Sequence, residues 1–135
     1  MPGKKPYLNQ EDAQRILTAA NEHAAKNNWA VSIAVVDDGA HLLAFTRRDN
    51  AAPVSVYISQ EKAKASALGR RESKIYEDVI NGGRQSFMNA TPVLHGTLEG
   101  GVNIVVDGHT IGAVGVSGVQ SSEDAEIAKA GIAAL

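Results

Sequence analysis

Two Asp-Gly dipeptides, each between two apolar runs, restrict most strongly what this chain can fold into. Asp38-Gly39 separates residues 31–36 from 40–45, and Asp107-Gly108 separates residues 102–106 from 109–116. The runs are rich in β-branched side chains, and a two-residue Asp-Gly loop between such runs is typical of a type I′ turn. The sequence therefore predicts two antiparallel β-hairpins.

Helical spacing of apolar residues predicts the segments around these hairpins. Asn9 is a candidate N-cap for a first helix that ends near residues 26–28, and a second helix is predicted over about 54–68. Ser73 is a candidate cap for a short third helix. Ser121, with Asp124 as its capping-box partner, is expected to begin the last helix.

The predicted order is α-ββ-αα-ββ-α, with one further short strand near 97–101. Because consecutive hairpins pair antiparallel, this order indicates an α+β fold in which helices pack on a sheet of about five strands. The length of 135 residues is typical of a single domain. We expect residues 1–8 to form a flexible tail and residues 9–135 to form that domain.

Composition excludes several classes of protein. Cysteine is absent, which excludes disulfides, thiolate metal sites and thiol nucleophiles. The net charge of −2 does not favour a nucleic-acid partner. No apolar run reaches the roughly 18 residues of a membrane span, so no membrane partner is expected. Residues 1–6 are not followed by an apolar stretch, so no signal peptide is predicted and a cytoplasmic location is expected.

Several motifs occur in the order found in the GlcG/HbpS family, which also includes the C-terminal domain of PduO-type proteins. These are VVDDGAHLLAF at 35–45, RRD at 47–49, KA at 62–63, GG at 100–101, IGAVGVSG at 111–118 and ED at 123–124. The chain resembles this family over residues 9–135. The resemblance implies a profilin-like sandwich and homo-oligomers, often built from dimers. Some members bind haem, and no activity is common to the family.

Haem iron takes an axial ligand from His, Tyr, Met or Cys, and this chain has no Cys. His95 is the first candidate because it lies in an irregular segment beside Gly96, where pockets tend to form. The other histidines also have structural interpretations that compete with a ligand role. His109, for example, directly follows a turn and is expected to be exposed to solvent. Further cofactor-binding candidates, for the iron or for the propionates, are His23, His41, Arg47, Arg48 and Lys62.

Arg47 and Asp49 admit two interpretations. The guanidinium can clamp a carboxylate ligand, or the two side chains can pair across a loop or a subunit boundary. In the first case Asp49, His95 and Glu99 are candidates for proton transfer, because a His–carboxylate pair can act as acid and base.

The last helix carries a second carboxylate pair. Glu123 and Glu126 lie three residues apart, so they share one side of a helix. They could bind a hard cation weakly, with His95 as a further candidate ligand, or they could form a solvated helix start.

Three functions remain open at this stage. A small oligomeric protein that binds haem or a related tetrapyrrole is favoured, because the resemblance and the histidines agree. The first alternative is an enzyme or accessory protein for a small carboxylate, of isomerase, hydratase or lyase type. The second is a structural or regulatory oligomer without chemistry, which the Ala-rich helix around Ala63 and Ala67 suggests.

Overall fold

A computed structural model describes residues 1–135 and contains four α-helices, a short 3₁₀ helix and four strands. The elements in chain order are α1 (Gln10–Lys26), β1 (Ser32–Asp37), β2 (Leu42–Arg47), α2 (Val54–Gly69), α3 (Ser73–Asn81), the 3₁₀ helix (Gln85–Asn89), β3 (Gly101–Val106), β4 (His109–Ser117) and α4 (Ser121–Ile132). The strands form one antiparallel sheet in the order β2-β1-β4-β3. The predicted α+β fold is confirmed.

The predicted fifth strand is wrong, because residues 97–100 precede β3 and pair with no strand. The backbone groups of this segment form hydrogen bonds with side chains of α3 instead. The Ser73 hydroxyl donates to the Leu98 carbonyl at 2.5 Å, and the Gly101 amide donates to the same hydroxyl at 2.8 Å. The Glu99 amide donates to a Glu77 carboxylate oxygen at 2.8 Å. This segment is therefore fixed mainly to α3, and only its last residue bonds to the sheet, where the Val116 amide of β4 donates to the Gly100 carbonyl at 3.0 Å.

The two Asp-Gly turns differ. Asp107 and Gly108 have φ of 51° and 78°, as a type I′ turn requires, so the second prediction is confirmed. In the first loop only Ala40 has positive φ, 69°, and the type I′ prediction is wrong. The Asp37 carboxylate accepts from the Gly39 and His41 amides at 2.9 Å each, which stabilises a longer loop.

Local capping was predicted correctly at one end of the chain only. Asn9 caps α1 and forms a capping box with Asp12. At α4 the cap is Gln120, with Glu123 as its box partner, so the prediction of Ser121 and Asp124 is wrong. Asp124 turns inward instead and is almost fully buried.

Helices cover both faces of the sheet. The face under α1 and α4 carries the larger core, which includes Ile16, Ile33, Ile104 and Ile127. Leu8, in the predicted tail, is buried in this core. The opposite face, under α2, holds a smaller cluster: Ala34, Val36, Ala63, Ala67 and Ala113. No helix has the length and apolar character needed to cross a membrane.

The backbone of α2 lies directly on the sheet. A Cβ added to Gly115 of β4 would lie 2.0 Å from the Ser59 carbonyl oxygen and 2.4 Å from the Ala63 amide nitrogen. A Cβ added to Gly101 of β3 would lie 2.3 Å from the Lys62 carbonyl oxygen. These two glycines are required because no side-chain atom fits between helix and strands.

A buried ion pair joins α2 to α4. Lys62 and Asp124 are each 2% exposed, and Lys62 Nζ lies 3.0 Å from Asp124 Oδ2. Lys62 also donates to the Val116 carbonyl at 2.9 Å, and the Val119 amide donates to Asp124 Oδ1 at 3.2 Å. Burial raises the pKa of the Asp124 carboxyl, and the Lys62 ammonium opposes that rise. Asp124, which was predicted to take part in capping α4, therefore connects α4 to α2 instead.

Substituting Gly115→Ala is expected to destabilise the protein, because the new methyl group must displace the backbone of α2. Overpacking of this kind costs about 1–3 kcal/mol of unfolding free energy, and a backbone clash lies at the upper end. Urea denaturation measures the change. Gly3→Ala, where nothing lies within 4 Å, is the control and is expected to leave the midpoint unchanged. An unchanged midpoint for Gly115→Ala would contradict the close contact.

Substituting Lys62→Met leaves a buried carboxylate without its cation, which costs about 3–5 kcal/mol of unfolding free energy. The double variant Lys62→Met with Asp124→Leu removes both charges and is expected to recover most of that loss. Denaturation of the two variants in parallel checks this. Lys74→Met breaks an exposed pair with Asp78 and is the control with negligible effect. A double variant less stable than the single one would be inconsistent with a charge-burial penalty.

Candidate functional site

Two of the four histidines are engaged within the chain. His23 Nε2 on α1 lies 2.7 Å from Glu126 Oε2 on α4, and His41 Nδ1 lies 3.1 Å from Asp37 Oδ1. His95 and His109 are exposed and make no side-chain hydrogen bond. The imidazoles of His95 and His109 are therefore free at both nitrogens, and His41 keeps its Nε2 free.

His95 lies on a segment that crosses α2. A Cβ on the next residue, Gly96, would lie 2.1 Å from the Glu61 carbonyl carbon and oxygen, so the segment rests on the helix backbone. The hydrogen bonds of Leu98 and Glu99 to α3 hold its far end. Although the segment is neither helix nor strand, its position on α2 is fixed.

Exposed apolar residues lie near His95 in the sequence and on the helix beneath this segment. Met88, Val93 and Leu98 are exposed, and so is Tyr57, one helical turn before Glu61 on α2. We call these four residues with His95 the His95 surface. Exposed apolar side chains grouped in this way are typical of a binding surface.

Glu61 adds a polar feature beneath this segment. Its Oε2 atom is buried and has no hydrogen-bond partner in the chain. Buried carboxylate oxygens are normally paired, because an unpaired acceptor costs free energy. The Glu61 carboxylate therefore has one buried acceptor atom that no group of this chain satisfies.

A second site lies where α1 and β2 end. It is a cavity of about 480 Å³, which we call the arginine pocket, and its lining residues are Asn21, Asn28, Trp29, Ala30, Thr46, Arg47, Arg48, Asp49 and Asn50. Arg48 Nε donates to the Trp29 carbonyl at 3.2 Å, and its Nη1 donates to Asn21 Oδ1 at 2.9 Å. Arg47 and Asp49 form no ion pair with each other or with another residue of the chain.

A third, smaller groove of about 380 Å³ lies beside the β3–β4 turn and includes Lys5, Arg70 and His109. Its two permanent cations are already engaged with Asp38. Lys5 Nζ lies 2.6 Å from the carboxylate, and Arg70 Nη1 donates to the backbone carbonyl at 2.7 Å. The hydrogen bond from Lys5 lowers the pKa of the Asp38 carboxyl. This groove therefore offers less free positive charge than the arginine pocket.

The remaining predicted site residues lie apart. Glu123 accepts a hydrogen bond from the backbone amide of the α4 cap, Gln120, and Glu126 pairs with His23. No three His, Asp or Glu side chains are grouped as a metal site. Lys62 is buried against Asp124. Glu99 lies beside α3 and does not line the pocket that contains Asp49.

Sequence reasoning did not identify several residues of these sites. Trp29, Asn21 and Asn28 line the arginine pocket, and Tyr57 and Glu61 adjoin the segment that carries His95. Only one local signal was available. The Asn27-Asn28 pair at the end of α1 is typical of a left-handed helix end, and Asn28 has φ of 56°.

Comparisons with known proteins agree over nearly the whole chain. The family described as haem degrading protein HbpS-like matches residues 8–133. Protein GlcG of Escherichia coli K12 is 59% identical over 113 residues, which cover 84% of this chain and 83% of that protein.

Two solved structures are similar as well. A structure of Streptomyces reticuli HbpS superposes with a TM-score of 0.87 at 26% identity, covering 99% of this chain and 90% of that one. The structure of a PduOC complex with haem superposes with a TM-score of 0.86 at 25% identity, covering 96% of both chains. With the family match over residues 8–133, these likenesses lead to one conclusion: the chain belongs to the HbpS-like family.

Proposed function

We propose that this protein binds haem or a related tetrapyrrole as a homo-oligomer. The observation that carries the proposal is the likeness to PduOC, whose structure is a complex with haem and superposes over 96% of both chains. The family description, which refers to haem degradation, supports the same ligand class. Fold alone does not determine a ligand, so the proposal also needs a suitable surface on this chain.

His95 is the proposed axial ligand. Haem iron takes an imidazole nitrogen, and the porphyrin packs against apolar side chains. His95 has an unengaged imidazole with Met88, Val93 and Leu98 exposed on the same segment. The His95 surface therefore offers the two kinds of group that haem binding uses, an imidazole and exposed apolar side chains.

The other histidines fit less well. His23 is held through Nε2 by Glu126, so binding a metal at that nitrogen would break the contact. His41 contacts Asp37 through Nδ1 only and keeps Nε2 free, but Leu42 is the one large apolar side chain exposed on the strand that follows it. His109 lines a groove in which Val105 is the only apolar side chain. A porphyrin at His109 would therefore lie mainly against polar groups, which disfavours it.

The His95 surface is open, since it lines neither the arginine pocket nor the groove beside the β3–β4 turn. It also lies outside the remaining cavity of the chain, which runs along α1. A haem bound there would leave its second face in water, which is unfavourable for an apolar ring. A second copy of the chain that covers this face removes the penalty. We therefore propose that haem lies between subunits of a dimer, from which larger homo-oligomers are built.

The sequence-based candidates for the propionates change under this proposal. Lys62 is buried and bonded to Asp124 and the Val116 carbonyl, so it has no role with a propionate. Arg47 and Arg48 line a separate pocket whose walls are mostly polar. The propionates are instead expected at the solvent edge of the His95 surface.

Substituting His95→Ala is expected to abolish the Soret shift seen when haem is added, because the iron loses its protein ligand. Loss of the ligand is expected to weaken haem affinity at least about ten-fold, which corresponds to about 1.4 kcal/mol. Absorbance titration measures both effects. Saturation near one haem per dimer is expected for the unsubstituted protein.

His109→Ala is the matched control, since His109 is equally free of hydrogen bonds and lies in a different groove. It is expected to bind haem as the unsubstituted protein does. Circular dichroism of both variants checks that the fold is intact. A normal Soret shift in folded His95→Ala, or a response that never saturates in the unsubstituted protein, would refute the proposal.

A further inference from the structure

We propose that the arginine pocket binds a small carboxylic acid that also carries a hydroxyl group, independently of haem. Its lining contains two guanidinium groups, one carboxylate, three side-chain amides and a hydroxyl, but only Trp29 and Ala30 are apolar. A tetrapyrrole needs an extended apolar wall, which this pocket lacks. A compact polar ligand fits it.

Arg48 is held ready to bind an anion. Its Nε and Nη1 donate to the Trp29 carbonyl and to Asn21, and its backbone amide donates to the Val31 carbonyl at 2.9 Å. An arginine has five N–H donors, so three remain unused in this chain. Because the side chain is already ordered, binding a carboxylate costs little further conformational entropy.

Arg47 and Asp49 determine which ligands the pocket prefers. Neither is paired within the chain, and both line the cavity. A guanidinium forms paired, charge-assisted hydrogen bonds with a carboxylate. The Asp49 carboxylate can only accept hydrogen bonds when ionised, so it favours a ligand that also donates one. Together they fit an acid with a neighbouring hydroxyl group.

The net charge of the lining determines which charge the ligand is expected to carry. The two arginines exceed the single aspartate by one positive charge, and the lining contains no Lys, His or Glu. A monoanion neutralises that excess. A neutral amide of the same shape leaves it uncompensated, so charge as well as shape is expected to discriminate between ligands.

The walls of the pocket are fixed by unusual backbone. Asn28 and Asn50 have φ of 56° and 72°, in the left-handed region that residues other than glycine seldom adopt. Backbone hydrogen bonds hold both turns, from the Trp29 amide to the Ala24 carbonyl at 2.9 Å and from the Ala51 amide to the Arg48 carbonyl at 3.2 Å. Asparagine adopts this region more readily than other residues except glycine, so the two turns are stable and keep the pocket walls in place.

The pocket and the His95 surface are built from different residues. The pocket lies where α1 ends and β2 leads into the following loop, whereas His95 lies over the middle of α2 on the opposite face of the sheet. No residue of the His95 surface lines the pocket. The two ligands are therefore expected to bind without competing.

The fluorescence of Trp29, the only tryptophan of the chain, reports on the pocket directly. Lactate is expected to change it saturably. Propionate, which lacks the hydroxyl, is expected to bind several-fold more weakly, and uncharged lactamide is expected not to bind. Arg47→Gln is expected to weaken lactate binding about ten-fold or more, because it removes a charge-assisted pair. Asp49→Asn is expected to reduce the preference for lactate over propionate.

Arg84→Gln, an exposed arginine outside the pocket, is the control and is expected to bind lactate normally. The propionates of haem are a second source of carboxylates. Calorimetry of lactate binding to haem-loaded protein separates the two sources, and a lactate affinity equal to that of the haem-free protein supports the proposal. The proposal would be overturned if haem and lactate compete and Arg47→Gln weakens the binding of both, because that result assigns the arginines to the haem propionates. Equal effects of Arg47→Gln and Arg84→Gln, or no saturable response to lactate, would overturn it as well.

Discussion

The direct contact between α2 and the sheet determines much of this structure. Because Gly115 and Gly101 carry no side chain, the helix backbone approaches the strands closely. The remaining space admits little more than alanine side chains, as Ala63 and Ala113 show. This contact also fixes the rotation of α2, which directs Lys62 towards Asp124. A helix held further from the sheet would lose that ion pair and leave two buried charges.

The same contact decides where the segment with His95 lies. Gly96 rests on the α2 backbone just as α2 rests on the sheet, so two layers of close packing lie above β4. The segment has few side chains of its own in the core and depends on Ser73 and Glu77 for its position. A surface built in this way is ordered without regular secondary structure, which suits a binding role.

The two proposed sites differ in chemistry because they lie in different parts of the fold. The His95 surface is apolar and open, and it needs a second copy to become a closed site. The arginine pocket is polar and largely complete in one chain, since Arg48 and the turns at Asn28 and Asn50 are held by internal hydrogen bonds. One site therefore depends on assembly and the other does not, so each can be tested without the other.

By itself the sequence determined what depends on neighbouring residues: the helices, the second Asp-Gly turn, the Asn9 cap and the α+β class. It also indicated His95 and Arg47 as candidates. The tertiary structure decided which charged groups are engaged. Lys62 meets Asp124 across 62 positions and His23 meets Glu126 across 103, and no local pattern encodes such pairs. Local rules favoured Asp124 as a capping partner, but burial beside Lys62 prevailed, because a charge without its partner in the interior costs more than a cap contributes.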